Sequence, residues 1–186
     1  MNMKKIKLTE LDESVLANYF DCANLKQYCN SLKLRLCEIN NQHFVIAGGA
    51  LRDILLNTHP HDIDMFAIQH HVPAIAEQFD KSGFKFICET KLSRNYLFNR
   101  EKYQLISSKH FVRFRNNNLF EFAEKILKSF EFTINQIAYI PAHDVIIFSE
   151  AFVHDMHKKL IRPIRALNEY SHSQLFATRI LKFMNK

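Results

Sequence analysis

Asp62 and Asp64 stand one residue apart in the run His61-Asp62-Ile63-Asp64-Met65-Phe66. Side chains alternate between the two faces of a strand, so both carboxylates leave the same side. At about 4 Å and an effective dielectric of about 20, two such charges repel by roughly 4 kcal/mol. That is large beside the roughly 5–15 kcal/mol net stability of a domain. A divalent cation reverses the sign of the term. Oxygen-only ligands suit Mg²⁺, or Mn²⁺ in its place, and Mg²⁺ takes one or two carboxylates plus substrate phosphates instead of a closed protein cage. About ten residues upstream lies Gly48-Gly49-Ala50-Leu51-Arg52-Asp53. Glycines let a backbone approach a bound anion, free N–H groups attract it, and Arg52 adds a cation. Arg52 and Asp53 are equally suited to a local ion pair that fixes the turn.

The elements that hold these groups are legible around them. His43-Phe44-Val45-Ile46-Ala47 reads as a buried strand that Gly48-Gly49 breaks, and residues 50–56 have helical composition until Asn57 and Pro60 stop it. Before it, periodicity predicts a long amphipathic helix over 11–38. After the aspartate strand it predicts a helix over 73–81, strands near 85–89 and 102–106, a helix over 119–128, a hairpin of 136–140 with 145–148 turned at 141–144, and helices near 150–158 and 171–183. Strands mixed with helices argue for an α/β (α+β) mixed sheet with helices mainly on one face.

Gly-Gly-x-x-Arg-Asp followed by Asp-x-Asp resembles the signature of the DNA polymerase β-type nucleotidyltransferases, in particular the head domain of CCA-adding enzymes and poly(A) polymerases. Phe130-Glu131-Phe132-Thr133-Ile134-Asn135 resembles the family's Arg-Arg-Asp-Phe-Thr-Ile-Asn segment. The run from His154-Asp155-Met156 to Leu160-Ile161-Arg162 resembles the family's next helix and basic strand, and residues 170–186 resemble a first neck helix. The resemblance implies a polymerase β-like fold and a metal-dependent transfer of a nucleoside monophosphate from a nucleoside triphosphate to an acceptor hydroxyl. Asp62, Asp64 and Glu131 would be the catalytic carboxylates and metal ligands, and Gly48, Gly49, Arg52, Asp53 and Asn135 the nucleotide contacts. Gln104, on the preceding Gln-Leu-Ile strand, is a further residue able to orient a substrate. Ser129-Phe130-Glu131 replaces Arg-Arg-Asp, so the paired arginine contact to the incoming nucleotide is absent. That departure, with no counterpart of the body and tail in these residues, makes the chain closer to small stand-alone nucleotidyltransferases of phages and mobile elements than to a CCA-adding enzyme. The expected acceptor is an RNA 3′ end. A protein hydroxyl, or a non-catalytic nucleotide- or RNA-binding module on the same fold, are the alternatives.

Composition bounds the rest. At 186 residues and 47% hydrophobic, the chain can bury one core without staples. The expected division is a helical extension over 1–40, the nucleotidyltransferase domain over 41–165 and a neck-like helix over 166–186. No run reaches the roughly 18 apolar residues of a membrane span, and the first residues lack the apolar stretch of a secretion signal, so a cytoplasmic protein is expected. Cys22, Cys29 and Cys37 recur along one side of a helix as small buried residues, consistent with a reducing compartment. His59, His61, His70 and His71 read as polar loop residues around the aspartate strand.

Between 85 and 115 stand eight basic residues, Lys85, Lys91, Arg94, Arg100, Lys102, Lys109, Arg113 and Arg115, against Glu89 and Glu101. The excess equals the formal net charge of the whole chain, +6. Tyr96, Phe98, Tyr103, Phe111 and Phe114 are interleaved with them. Cations for phosphates and rings for unpaired bases are the pattern of a single-stranded or looped RNA site. Residues 107–118 are expected to form a loop near the site.

Overall fold

The computed structural model describes residues 2–110 and 118–164, with Thr178, Ile180 and Leu181. Phe111, Arg113, Phe114 and Arg115, the part of the expected loop between His110 and Asn118, and most of the expected C-terminal helix lie outside the described residues.

Eight strands form one sheet: β1 Met3–Lys7, β2 Phe44–Ala47, β3 Ile63–Ala67, β4 Lys85–Glu89, β5 Ser93–Phe98, β6 Glu101–Ser107, β7 Ile137–Ile140 and β8 Val145–Ser149. Their spatial order is β1-β8-β7-β2-β3-β6-β5-β4, and every pair is antiparallel except β3 with β6. β2 and β8 are buried at every position, which explains why they read as unbroken apolar runs. Among the described elements, five α-helices accompany the sheet: α1 Ala23–Arg35, α2 Gly49–Leu55, α3 Val72–Lys81, α4 Leu119–Ser129 and α5 Glu150–Lys158.

On one face Leu25 and Leu32 of α1, Leu51 of α2, Ile75 and Phe79 of α3, and Phe152 of α5 share a core with Ile46, Met65, Tyr103 and Ile146 of the sheet. On the other face α4 is the one helix among the described residues. Its Leu119, Phe122, Ala123, Ile126 and Leu127 recur at helical spacing over Val45, Ala47, Ala138 and Ile147. Asn118 starts α4 by accepting from the N–H groups of Phe120 and Glu121 at 3.0 and 3.2 Å. Four helices on one face and one on the other is the arrangement expected from sequence.

Three expectations need correction. The helix expected over 11–38 is a 3-10 turn at Leu8–Glu13 followed, after further turns, by the shorter α1. Ahead of it Met3–Lys7, whose Lys4 and Lys5 are exposed, adds as an edge strand beside β8, and charged side chains are a usual guard of such an edge. The segment 93–98, not expected as a strand, is β5 and pairs along its whole length with β6. Of the three cysteines only Cys22 and Cys29 are buried, while Cys37 is exposed beyond the end of α1. Burial pushes the Cys22 thiol up to about 11, and raises that of Cys29 as well.

Candidate active site

The sheet brings the two aspartates and the glycine turn to one cleft of about 520 Å³ whose lining includes Gly49, Arg52, Asp62, Asp64, Glu131 and Asn135. β2 ends at Ala47, and Gly48 turns the chain at φ +92°, ψ −134°, a conformation open to glycine and strained for other residues. Its N–H donates to the carbonyl of Ile137 at 2.9 Å, tying the turn to β7. A Cβ at this position would stand 3.4 Å from the Phe130 ring, so the turn and the 129–132 segment pack closely.

Arg52, 5% exposed, is committed within the protein. Its Nε and Nη2 donate to Asp53 Oδ1 at 2.9 and 2.6 Å, and its Nη1 donates to Asn135 Oδ1 at 2.5 Å. The local ion pair is therefore present, and Asn135 is its third partner. Asp53 in turn holds the chain beyond α2, its carbonyl accepting from the N–H and hydroxyl of Thr58 at 2.8 and 3.0 Å. Asn135 comes from a 3-10 turn, Thr133–Asn135. That turn is anchored from below by Asp155 of α5, which is completely buried. Asp155 accepts from the Thr133 hydroxyl at 2.5 Å and from Arg162 Nη2 at 2.7 Å, with His154 Nδ1 at 2.9 Å.

Asp62 precedes β3 and Asp64 lies within it; both are half-buried and face the cleft. The parallel neighbour β6 sets Gln104 directly opposite Asp64 and lets its Nε2 donate to Asp62 Oδ2 at 3.0 Å. An amide that donates to one carboxylate while abutting the other partly offsets their repulsion and fixes where their oxygens point. Among the described residues no group of three or more His, Cys, Asp or Glu side chains converges as a metal site. Asp62, Asp64 and Glu131 all line the one cleft. Two half-buried carboxylates on one face of one cleft fit an Mg²⁺ ion that completes its shell with phosphate oxygens and water.

Other sequence expectations fall differently. Phe132 is buried in the core, whereas Phe130 is half-buried, lines the cleft and meets Phe66 edge-on at 5.7 Å. Tyr96 and Tyr103 are fully buried, and Phe98 stacks on Phe84 at 4.3 Å, so these rings build the core and are not presented to bases. The burial of Tyr103 pushes its phenol up to about 12. His61 lines the cleft. His70 and His71 instead cluster at the far end of β3, where His71 stacks on His43 at 3.4 Å. Burial and the neighbouring His70 hold the His43 imidazole below its usual range. Lys102 was visible only as one of many cations. From β6 it lines the cleft on the same face as Gln104, and it makes no ion pair with a described residue. The period-2 alternation of 102, 104 and 106 was the signal that could have placed it there.

The cleft agrees with what this chain resembles. A CCA-adding enzyme of Lactobacillus johnsonii is 29% identical over 163 residues, 81% of this chain and 39% of that enzyme. Among solved structures, a CCA-adding enzyme in complex with ATP superposes with a TM-score of 0.64 at 19% identity, covering 99% of this chain and 41% of that one. The Thermotoga maritima CCA-adding enzyme complexed with tRNA gives 0.60 at 20% identity, covering 98% and 40%. The chain spans about two fifths of the length of these relatives and shares its fold with the corresponding part of the two solved structures. No helix among the described residues is long and apolar enough to cross a membrane. The model of the Gabija anti-defense 2 family protein matches residues 15–159, a span that takes in the glycine turn, both aspartates, Glu131 and the Asp155 anchor. Since that match covers well over half of the sequence, the chain belongs to the Gabija anti-defense 2 family.

Proposed function

We propose that the chain is a nucleotidyltransferase that moves a nucleoside monophosphate from a nucleoside triphosphate to an acceptor hydroxyl, with an RNA 3′ end as acceptor. The observation that carries this reading is the meeting of Asp62, Asp64, Gly49 and Arg52 in one cleft. Asp62 and Asp64 would hold Mg²⁺ or Mn²⁺, which when bound neutralises charge developing on the phosphates. Gln104 orients the carboxylates. The backbone at Gly48-Gly49 receives the phosphate chain, with Lys102 supplying the mobile cation that Arg52, tied to Asp53 and Asn135, cannot. Arg52 and Asp53 act by keeping the turn in shape. The acceptor oxygen attacks the α-phosphorus in line, its proton passes to the Glu131 carboxylate, the bond to the bridging oxygen breaks, and pyrophosphate departs with the electron pair. The family description, Gabija anti-defense, supplies the proposed biological setting: interference with a defence system.

The test is incubation of the protein with each α-labelled nucleoside triphosphate, Mg²⁺ or Mn²⁺, and total RNA plus lysate of cells that carry a Gabija system. Label is expected in RNA with the wild type. Asp62→Ala and Asp64→Ala should each reduce transfer by about 10³-fold or more, on the order expected when charge stabilisation at the reacting phosphate is lost, with unchanged circular dichroism. Label in protein would move the acceptor assignment to a side-chain hydroxyl. Normal turnover by either variant would refute the metal assignment.

A further inference from the structure

The rim of the cleft is also the rim of a second groove. Thr90, Leu92 and Ser93, at the turn between β4 and β5, line both the cleft and a smaller groove of about 250 Å³ beside the start of α3. Successive strand residues face opposite ways. Asn95 lines the cleft, whereas Arg94 lines the groove. The groove carries Lys91, Arg94 and Lys109 against one acid, Glu89. Arg94 is anchored, with Nε 3.5 Å from Glu89 and its guanidinium 5.5 Å from the Phe86 ring. Lys91 and Lys109 are exposed and make no ion pair with a described residue. Between groove and cleft, Leu92 stands 49% exposed at the crest.

A line of cations that continues over an apolar crest into a cleft holding two carboxylates suits a ligand that carries repeated negative charge and ends in a neutral hydroxyl. Lysines act as point charges toward phosphates without demanding fixed geometry. An apolar crest offers a base or sugar a surface on which to leave its neighbours. A folded protein acceptor would bring no regular series of anions to these three cations. Resting on the nucleotidyltransferase reading, we infer that this groove carries the sugar–phosphate backbone of a single-stranded nucleic-acid acceptor, whose 3′ end bends over Leu92 to reach Asp62 and Asp64.

The test is fluorescence anisotropy with a 5′-labelled single-stranded oligoribonucleotide across a salt series, with binding of a fluorescent nucleoside triphosphate measured in parallel. K91E/K109E, on exposed side chains, and the milder K91A/K109A keep the experiment independent of folding. Each single-strand phosphate contact adds about 0.7 to the salt slope, so K91A/K109A should flatten the slope by about 1.4. K91E/K109E should weaken the oligonucleotide by roughly tenfold or more at about 150 mM salt. Nucleoside triphosphate binding should stay at the wild-type value. Oligonucleotide binding that is absent in the wild type, or that ignores both variants, overturns the inference. If the wild type binds through these lysines and yet transfers no label, the groove assignment stands and the transfer reading fails in its place.

Discussion

Gly48 shows how much of a site can depend on an absent side chain. Its φ of +92° with ψ −134° belongs to a region that costs other residues about 1–3 kcal/mol. An added methyl would meet the Phe130 ring at 3.4 Å, an ordinary contact, so the cost lies in the backbone conformation. Gly48→Ala should therefore destabilise the protein by about 2 kcal/mol, lowering the urea midpoint without changing the slope, and should weaken nucleotide binding as the turn relaxes away from its φ of +92°. A midpoint equal to that of the wild type would contradict the strained turn. The residue types of this site were readable because spacing alone constrains them: glycines at a strand end, two aspartates at strand period. Their partners were not readable, because pairing between distant segments is set by sheet order. Nothing local to Arg52 announces that Asn135, 83 residues away, accepts its Nη1–H, and nothing near Asp62 announces Gln104. The same limit applies to Tyr96 and Tyr103, whose neighbours in sequence are basic and whose neighbours in space are the core.

At the scale of elements, the site stands on a relay from α5 to the glycine turn. Asp155 fixes Thr133, the 3-10 turn that begins there presents Asn135, and Asn135 accepts from Arg52 of α2. Gln136 extends the relay, its Nε2 donating to the Leu127 carbonyl at the end of α4 while its Oε1 accepts from Ser149, the residue that caps α5. A carboxylate with no exposed surface that serves a hydroxyl and a guanidinium loses both when truncated. Arg162 is itself 52% exposed and can turn to water, which limits the cost. Asp155→Ala should then cost about 2 kcal/mol, mainly because the Thr133 hydroxyl is left with only its longer 3.3 Å bond to the Arg162 carbonyl and the turn is loosened. The expected signature is a lowered unfolding midpoint together with weaker nucleotide binding in calorimetry, since Asn135 loses its footing. Asp155→Ala with wild-type affinity would show that the relay ends at Thr133. The terminal helices and strands differ in how well sequence reveals them for a related reason. α3, α4, the β7–β8 hairpin and α5 match their expected bounds closely because their amphipathic or buried patterns are strong and their caps local. β5 was missed because Ser93-Arg94-Asn95 reads as polar loop, and only pairing with β6 makes it a strand.

For the whole molecule, the informative question is whether residues 1–40 are an extension or part of the fold. Sequence suggested an extension, because a long amphipathic helix before a nucleotidyltransferase signature can stand apart from it. In the structure β1 pairs with β8 across five positions, and Leu8, Leu11, Leu16, Leu25, Leu32, Leu36 and Ile39 are each no more than 3% exposed, within the same core as Met65 and Phe152. Burying one such side chain contributes about 1.5–3 kcal/mol. Losing four or five of these contacts would by itself match the roughly 5–15 kcal/mol of net stability that a domain holds. A fragment of residues 41–186 should accordingly fail to fold cooperatively, giving poor amide dispersion, dye binding to exposed apolar surface and no sharp thermal transition. The full chain should unfold in one transition whether followed by far-ultraviolet dichroism or by tyrosine fluorescence, because Tyr28 of α1 and Tyr139 of β7 both report on that shared core. A well-dispersed, cooperatively melting 41–186 fragment would show that the first forty residues are dispensable to the core, and would return them to the role of a separable extension.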